Sequence, residues 1–323
     1  MKGVAKQEYT KVKIEGILNL KKLSGEYELT PEELVGFHNQ YCSLQELLTL
    51  SLPKYVEYIY IPSDKFEIRD RKLLKSAVLE IPSISSEKVY GVIIRFLPKD
   101  LQIHYKIKVK RTASQIELTK EKTYVNNQGI DKMIEQLFEK AEQILYPLQI
   151  SIKNNGGLDS IINHEEIAKR WKTESLKLKD YYQSETTDQL LEQMETVYTD
   201  INLKKDWFDM SIFYKLFFLP VYQGYPQFQK KDFLQIYFSG LSQEIGYNTE
   251  CILSREYTRG NKIAVQLAGM EEETPFNKNG KKGEASLLYK LNKETRELFS
   301  ITGSLSTFEG STEYKIEFQL FEQ

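Results

Sequence analysis

Apolar and polar residues alternate along this chain with two periods, and the segments carrying each period are grouped. Period two, the mark of a half-buried strand, runs through residues 11–20, Tyr55–Ile61, Val89–Leu97, Leu101–Arg111 and Ser114–Val125. It returns in six later segments, near 232–238, 248–257, 262–269, 284–292, 296–306 and 312–321. Steps of three and four, the spacing of one helix face, fill the stretches between. Leu34, Phe37, Tyr41, Leu44 and Leu48 form one such stripe. Met133, Leu137, Phe138, Ala141 and Ile144 form a second within 129–145, and Leu190, Leu191, Met194, Val197, Tyr198 and Ile201 a third within 187–201. Residues 206–219, DWFDMSIFYKLFFL, are apolar on nearly every face and predict a helix sunk in the core. Residues 66–80 suit either a short helix or a strand.

Punctuation sharpens these boundaries. Thr30-Pro31-Glu32-Glu33 supplies a cap, a first-turn proline and an acid at the third helical position. Pro53 ends that helix and Pro62 stops the strand before it. The stretch Tyr146–Trp171, YPLQISIKNNGGLDSIINHEEIAKRW, is the most explicit of all. Leu148, Ile150 and Ile152 alternate with polar residues, Asn154-Asn155-Gly156-Gly157 tolerates positive φ and turns the chain, and Leu158–Ile162 returns. Asn163 with Glu166 predicts a capping box opening a helix to Tyr181 or Tyr182. Arg259-Gly260-Asn261, Asn277-Lys278-Asn279-Gly280 and Glu309-Gly310-Ser311 mark reversals in the last third.

Strands follow strands inside each β block, which predicts an α+β fold with antiparallel, curved sheet rather than a doubly wound one. Residues 1–80 read as a strand-helix-strand segment. Residues 81–323 read as a β block, a helical insertion near 164–220 packed on one sheet face, and a C-terminal meander, continuous enough to form one domain. No period of 20–50 residues recurs, against a solenoid or propeller.

Composition narrows the classes. Lys and Arg number 44 against 46 Asp and Glu, a balance that argues against an electrostatic nucleic-acid binder. Cys42 and Cys251 have neither disulfide-framework nor zinc spacing and read as two buried free thiols. No signal-like or membrane-spanning run occurs; the most apolar, Ile212–Tyr222, is short and holds Lys215 and Pro220. A cytoplasmic protein without membrane insertion is the expectation. Tyrosine is abundant, 21 residues, as suits strands whose rings pack while hydroxyls stay wet, or a protein interface.

Candidate chemistry is sparse. His38, Cys42 and Glu46 share a helical strip whose spacing suits a metal or an activated thiolate, but the strip drifts from core to solvent and lacks further ligands. Glu165 and Glu166 read as helix-start acids, and Asp206 and Asp209 as cap and first-turn acid. Either carboxylate pair suits a hydrolase if the two converge in a cleft. His164-Glu165 lacks the second histidine of a zinc-protease motif, which is replaced by Ala168. No phosphate loop or serine elbow is present. No catalytic residue, metal or cofactor is therefore assigned. Lys106, Lys108 and Lys110 give one strand a basic face, suited to an acidic partner or to pairing with Glu117 and Glu121. Trp207, Phe213, Phe217, Tyr222 and Tyr225 suit an apolar pocket, a partner's helix, or simply core.

Residues 146–171 resemble uncharacterised bacterial proteins in which a strand hairpin enters a helical insertion, over less than a tenth of the chain. The pattern of Leu287–Leu291, Thr295, Phe299 and Ile301-Thr302-Gly303 is similar in style to bacterial curved-sheet proteins such as lipoprotein carriers. Those carry an export signal, which this sequence lacks, and the likeness implies no active site. The leading expectation is a non-enzymatic adaptor that binds another protein, or a component of a larger bacterial assembly such as a contractile secretion machine. The alternatives are a carrier of a small apolar ligand in a curved-sheet pocket and a hydrolase using paired carboxylates.

Overall fold

A computed structural model describes residues 8–14, 19–49, 56–71, 73–112, 114–130, 132–204, 206–258, 260–273 and 280–323. Parts of the predicted 11–20 strand, Pro53, Tyr55, Arg259 and Asn277–Asn279 lie outside them. The chain forms two compact units, Met1–Lys75 and Ser76–Gln323.

In the first unit, β1 (Tyr9–Lys13) pairs antiparallel with β2 (Tyr58–Pro62). Helices α1 (Leu20–Glu26), α2 (Pro31–Tyr41) and α3 (Ser63–Arg71) accompany them around a core that includes Leu20, Leu23, Leu34, Ile59 and Ile61. The predicted box at Thr30 forms in full: Thr30 Oγ1 accepts the Glu33 N–H at 3.2 Å and Glu33 returns the bond to Thr30 N–H at 2.8 Å. The helix stops seven residues short of Leu48, because Cys42 is extended and Ser43 opens a separate 3-10 turn, Leu44–Glu46. Glu46 accepts from the Ser43 hydroxyl and N–H, bonds that hold its carboxyl below the usual range. His38 is fully buried; its Nδ1 accepts the Tyr60 N–H at 3.1 Å, so Nε2 carries the proton and donates to Glu46 O at 2.9 Å. Both nitrogens are thereby used within the fold, and the His38–Cys42–Glu46 strip is split between helix and turn. Cys42 is half-buried rather than buried; both cysteines are free thiols.

The second unit is one antiparallel sheet with helices on it, an α+β architecture. Its strands are β3 (Ser86–Leu97), β4 (Leu101–Arg111), β5 (Gln115–Lys120), β6 (Tyr124–Val125), β7 (Gln128–Gly129), β8 (Leu148–Ile152) and β9 (Leu158–Ile161). Then follow β10 (Gln229–Phe238), β11 (Gln243–Leu253), β12 (Lys262–Glu271), β13 (Glu284–Asn292), β14 (Leu298–Glu309) and β15 (Thr312–Glu322). Their order is β10-β11-β12-β13-β14-β15-β3-β4-β5-β8-β9, with β6 and β7 hanging from β4. The C-terminal strand β15 joins the two blocks by pairing with β3, Phe318 opposite Ile94. The sheet does not close.

Helix α4 (Met133–Gln143) precedes β8, and α5 (His164–Tyr181), α6 (Glu185–Tyr198), α7 (Asp206–Asp209) and α8 (Ile212–Phe217) carry the chain from β9 to β10. Phe213 of α8 lies edge-on to Tyr105 of β4, Phe217 edge-on to Tyr90 of β3, and Leu216 O accepts the Tyr289 hydroxyl of β13. The same helix touches β10. Seven inter-strand gaps separate β10 from β4, which in a flat sheet is about 34 Å. A six-residue helix is only about 9 Å long. The sheet therefore curls around α8, as the predicted curvature requires. Among the described residues, no helix is long and apolar enough to cross a membrane.

Three sequence-based expectations are corrected. The predicted helix over 206–219 is two short ones, broken where Ser211 is extended (φ −89°, ψ 118°). Met133 and Phe138, predicted on the buried stripe of α4, are exposed, and the buried face is Leu137, Ala141, Ile144 and Leu145. Asn163 makes no capping bond. Its Oδ1 instead accepts the Gln149 N–H at 2.9 Å and its Nδ2 donates to Pro147 O at 2.8 Å, so one buried amide ties α5 to the start of β8. Substitution separates the two roles. Aspartate caps helices as well as asparagine does, but here it would set a carboxylate oxygen against the Pro147 carbonyl. Asn163→Asp and Asn163→Ala are each expected to destabilise by about 1–3 kcal/mol, measured by urea unfolding. A neutral Asn163→Asp would restore the capping role.

Candidate functional site

Many of the tyrosines, though not the exposed Tyr124 and Tyr181, bury their hydroxyls instead of keeping them wet. Tyr90, Tyr198, Tyr222, Tyr225, Tyr247 and Tyr289 are buried, and their phenols donate to the carbonyls of Leu298, Ala141, Arg296, Val221, Ser306 and Leu216. Tyr146 and Tyr214 bond each other at 2.7 Å. Such bonds let bulky rings line an interior without leaving polar atoms unsatisfied.

Among the described residues, two sizeable cavities flank α8. The larger, about 430 Å³, is lined from both ends of the open sheet: by Lys153, Asn155 and Leu158 of the β8–β9 hairpin, and by β10, β11 and β12 through Leu234, Cys251 and Leu267. Helices α7 and α8 and the segment after them contribute Phe208, Tyr214, Phe218, Leu219, Val221 and Tyr225. The hairpin is set by Gly156 at φ +88°, where a side-chain carbon would stand 2.7 Å from the Tyr222 ring, so glycine is required.

The interior wall is chemically quiet. The hydroxyls of Tyr214 and Tyr225 are bonded as above, and Thr249 Oγ1 donates to Asp232 O at 3.0 Å. Burial, above all, pushes the Cys251 thiol up to about 11, so it stands in the wall as a neutral, weakly polar group. Charge is confined to the mouth, where Lys153, Asp206, Asp209 and Asp232 are exposed and Lys215 bridges Asp209 at 3.2 Å. The cavity thus offers rings and aliphatic carbon within and polar groups without. At 430 Å³ it has the volume of small-molecule sites.

Of the candidate residues named in the sequence, Tyr225, Cys251 and the pair Asp206 and Asp209 line this cavity. Phe213 lines the second cavity, on the other side of α8. Phe217 and Tyr222 border a narrow cleft of about 20 Å³ and serve as core. Trp207 packs on Tyr198 and Phe208 outside either cavity. Lys106, Lys108 and Lys110 are exposed along β4; Lys108 pairs with Glu87 of β3 at 2.8 Å, and Lys110 stands opposite both Glu87 and Glu117. Glu165 and Glu166 are exposed first-turn acids of α5. Asp206 and Asp209 share a cleft, but at its solvent-facing rim. Among the described residues, no group of three or more His, Cys, Asp or Glu side chains is placed to hold a metal.

Leu234 and Leu267 escaped sequence reasoning, and Cys251 was read only as a buried free thiol, because an inward strand position looks the same whether it faces a neighbour or a void. Phe208 and Phe218 were visible only as members of an apolar run. No family model matches this chain, and no curated protein matches it.

Proposed function

We propose that this protein carries a small apolar or amphipathic ligand in the cavity between α7–α8 and the two ends of its open sheet. The observation that carries this reading is the lining: buried rings and aliphatic groups whose polar atoms are already bonded, with charges only at the rim. A ligand would bury its apolar part against Phe208, Phe218, Leu234 and Leu267 and leave a polar end near Asp206, Asp209 and Lys153.

The adaptor reading rests on free sheet edges for partner strands. β9 and β10 end the sheet, but β9 is four residues long and β10 carries Lys230, Lys231 and Asp232, features that discourage strand addition. The carrier reading has the stronger support.

Titration with the uncharged fluorophore Nile red tests the site. Saturable binding at one probe per chain is expected, with affinity about tenfold lower in Cys251→Phe, whose ring would enter the cavity; circular dichroism would report an intact fold. Equal binding by Cys251→Phe would place the probe elsewhere and remove this cavity from the account.

A further inference from the structure

The second cavity, about 340 Å³, lies on the opposite side of α8 between β3, β4 and α4. Its walls include Ile94, Ile103, Val125, Phe138, Ile212 and Phe213. Unlike the first cavity, it has a polar end where the buried Lys120 and Thr123 meet the half-exposed Glu135, Glu139 and Glu142.

Three observations define what that end lacks. Lys120 has a side chain only 5% exposed, and its ammonium is already engaged, 2.6 Å from Glu142 Oε2 and 4.3 Å from the centre of the Tyr105 ring. Its charge is therefore answered inside the protein. Thr123, 7% exposed, has a buried hydroxyl with no hydrogen-bond partner, although its N–H donates to Glu139 Oε1 at 2.8 Å. A buried hydroxyl left unbonded is costly and uncommon. Finally, of the three carboxylates in the lining, Glu142 bridges Lys120 and Glu135 bridges Lys132 at 3.0 Å, while Glu139 takes the neutral Thr123 N–H, so acids still outnumber ammonium groups by three to two. A carboxylate or phosphate entering here would meet net negative charge, whereas a group rich in donors would meet the Thr123 oxygen and the spare acceptor positions of Glu139 and Glu142.

We infer that this cavity is a second ligand site, selective for an aliphatic primary amine whose ammonium sits among Thr123, Glu139 and Glu142 and whose chain lies against Ile103, Phe138 and Phe213. It is separate in position and in head-group chemistry from the apolar site proposed above.

Isothermal titration with n-decylamine, decanoate and n-decanol, the ionic ligands below their micellar concentrations and the alcohol below its solubility limit, tests the inference. Decylamine is expected to bind one per chain, about tenfold or more tighter than decanoate or decanol, since its added contact is a charge-assisted hydrogen bond. Glu139→Gln is expected to weaken decylamine about tenfold and Thr123→Val by a few-fold, with the decanol affinity little changed. Cys251→Phe should leave decylamine binding intact. Equal or tighter binding of decanoate would overturn the inference, as would amine binding indifferent to Glu139→Gln or abolished by Cys251→Phe. Far-ultraviolet circular dichroism of each variant separates these outcomes from unfolding.

Discussion

The second unit is expected to unfold cooperatively on raising the pH to about 11, well before its buried tyrosines ionise in the native state. Tyr90, Tyr105, Tyr146, Tyr198, Tyr214, Tyr222, Tyr225, Tyr247 and Tyr289 all have phenols pushed above the ordinary value, in each case chiefly by burial. Tyr222, pushed up to about 12, is among the least perturbed. A raised native pKa contributes stability that is fully present below the unfolded value, about 10 for tyrosine, and is lost as pH rises toward the native one. One pH unit above the unfolded value, each such residue has forfeited about 1.4 kcal/mol, and nine together about 13 kcal/mol, comparable to the whole stability of a typical domain. The part of the phenolate absorbance that belongs to these nine residues should therefore appear together with the loss of circular dichroism, in a single steep step. Gradual titration of all 21 tyrosines near pH 10, with the fold intact, would show that these hydroxyls are wet after all.

The second large effect is expected from Trp171. It is 1% exposed, and its ring lies edge-on to Tyr198 at 4.5 Å, joining α5 to α6. The preceding residue, Arg170, donates to the carbonyls of Leu145, Tyr146 and Pro147, so this turn of α5 also secures the chain between α4 and β8. Trp171→Ala leaves a large void at that junction and should cost about 3–5 kcal/mol. For a unit of this size the melting temperature would fall by roughly 10 °C. Trp171→Phe should cost far less than alanine, because the indole N–H is buried without a partner and its removal forfeits no hydrogen bond. If phenylalanine were as damaging as alanine, the indole nitrogen rather than ring volume would be the contribution that matters.

Local pattern carried far in this chain, and it failed where distant residues compete for one group. The six strands after residue 228 were legible because most of their positions alternate and their turns are marked, as at Glu309-Gly310-Ser311, where Gly310 adopts φ +62°; β11 nonetheless begins at Gln243 and ends at Leu253, earlier than the expected 248–257. Thr30 was legible because both halves of its box lie within four residues. Asn163 was misread because its amide bonds to β8, fourteen and sixteen residues away, displaced the local cap. The pairing of β15 with β3 has no local signature at all; it joins segments more than two hundred residues apart. The curl of the sheet, and with it both cavities, follows from that pairing. The tyrosines were conspicuous by number, but their burial depended on carbonyls exposed at helix and strand ends, such as Leu216 O and Leu298 O, which no periodicity reveals.

The proposed carrier role requires that the space between α7–α8 and the open ends of the sheet be occupied by a ligand in the cell. Native mass spectrometry of the protein taken gently from its source cells addresses that directly. The expected spectrum shows a bound apolar small molecule at up to one per chain, released by organic extraction and depleted at least about tenfold in Cys251→Phe. A bare polypeptide mass for the wild type, with no uptake when apolar ligands are added back, would contradict the account.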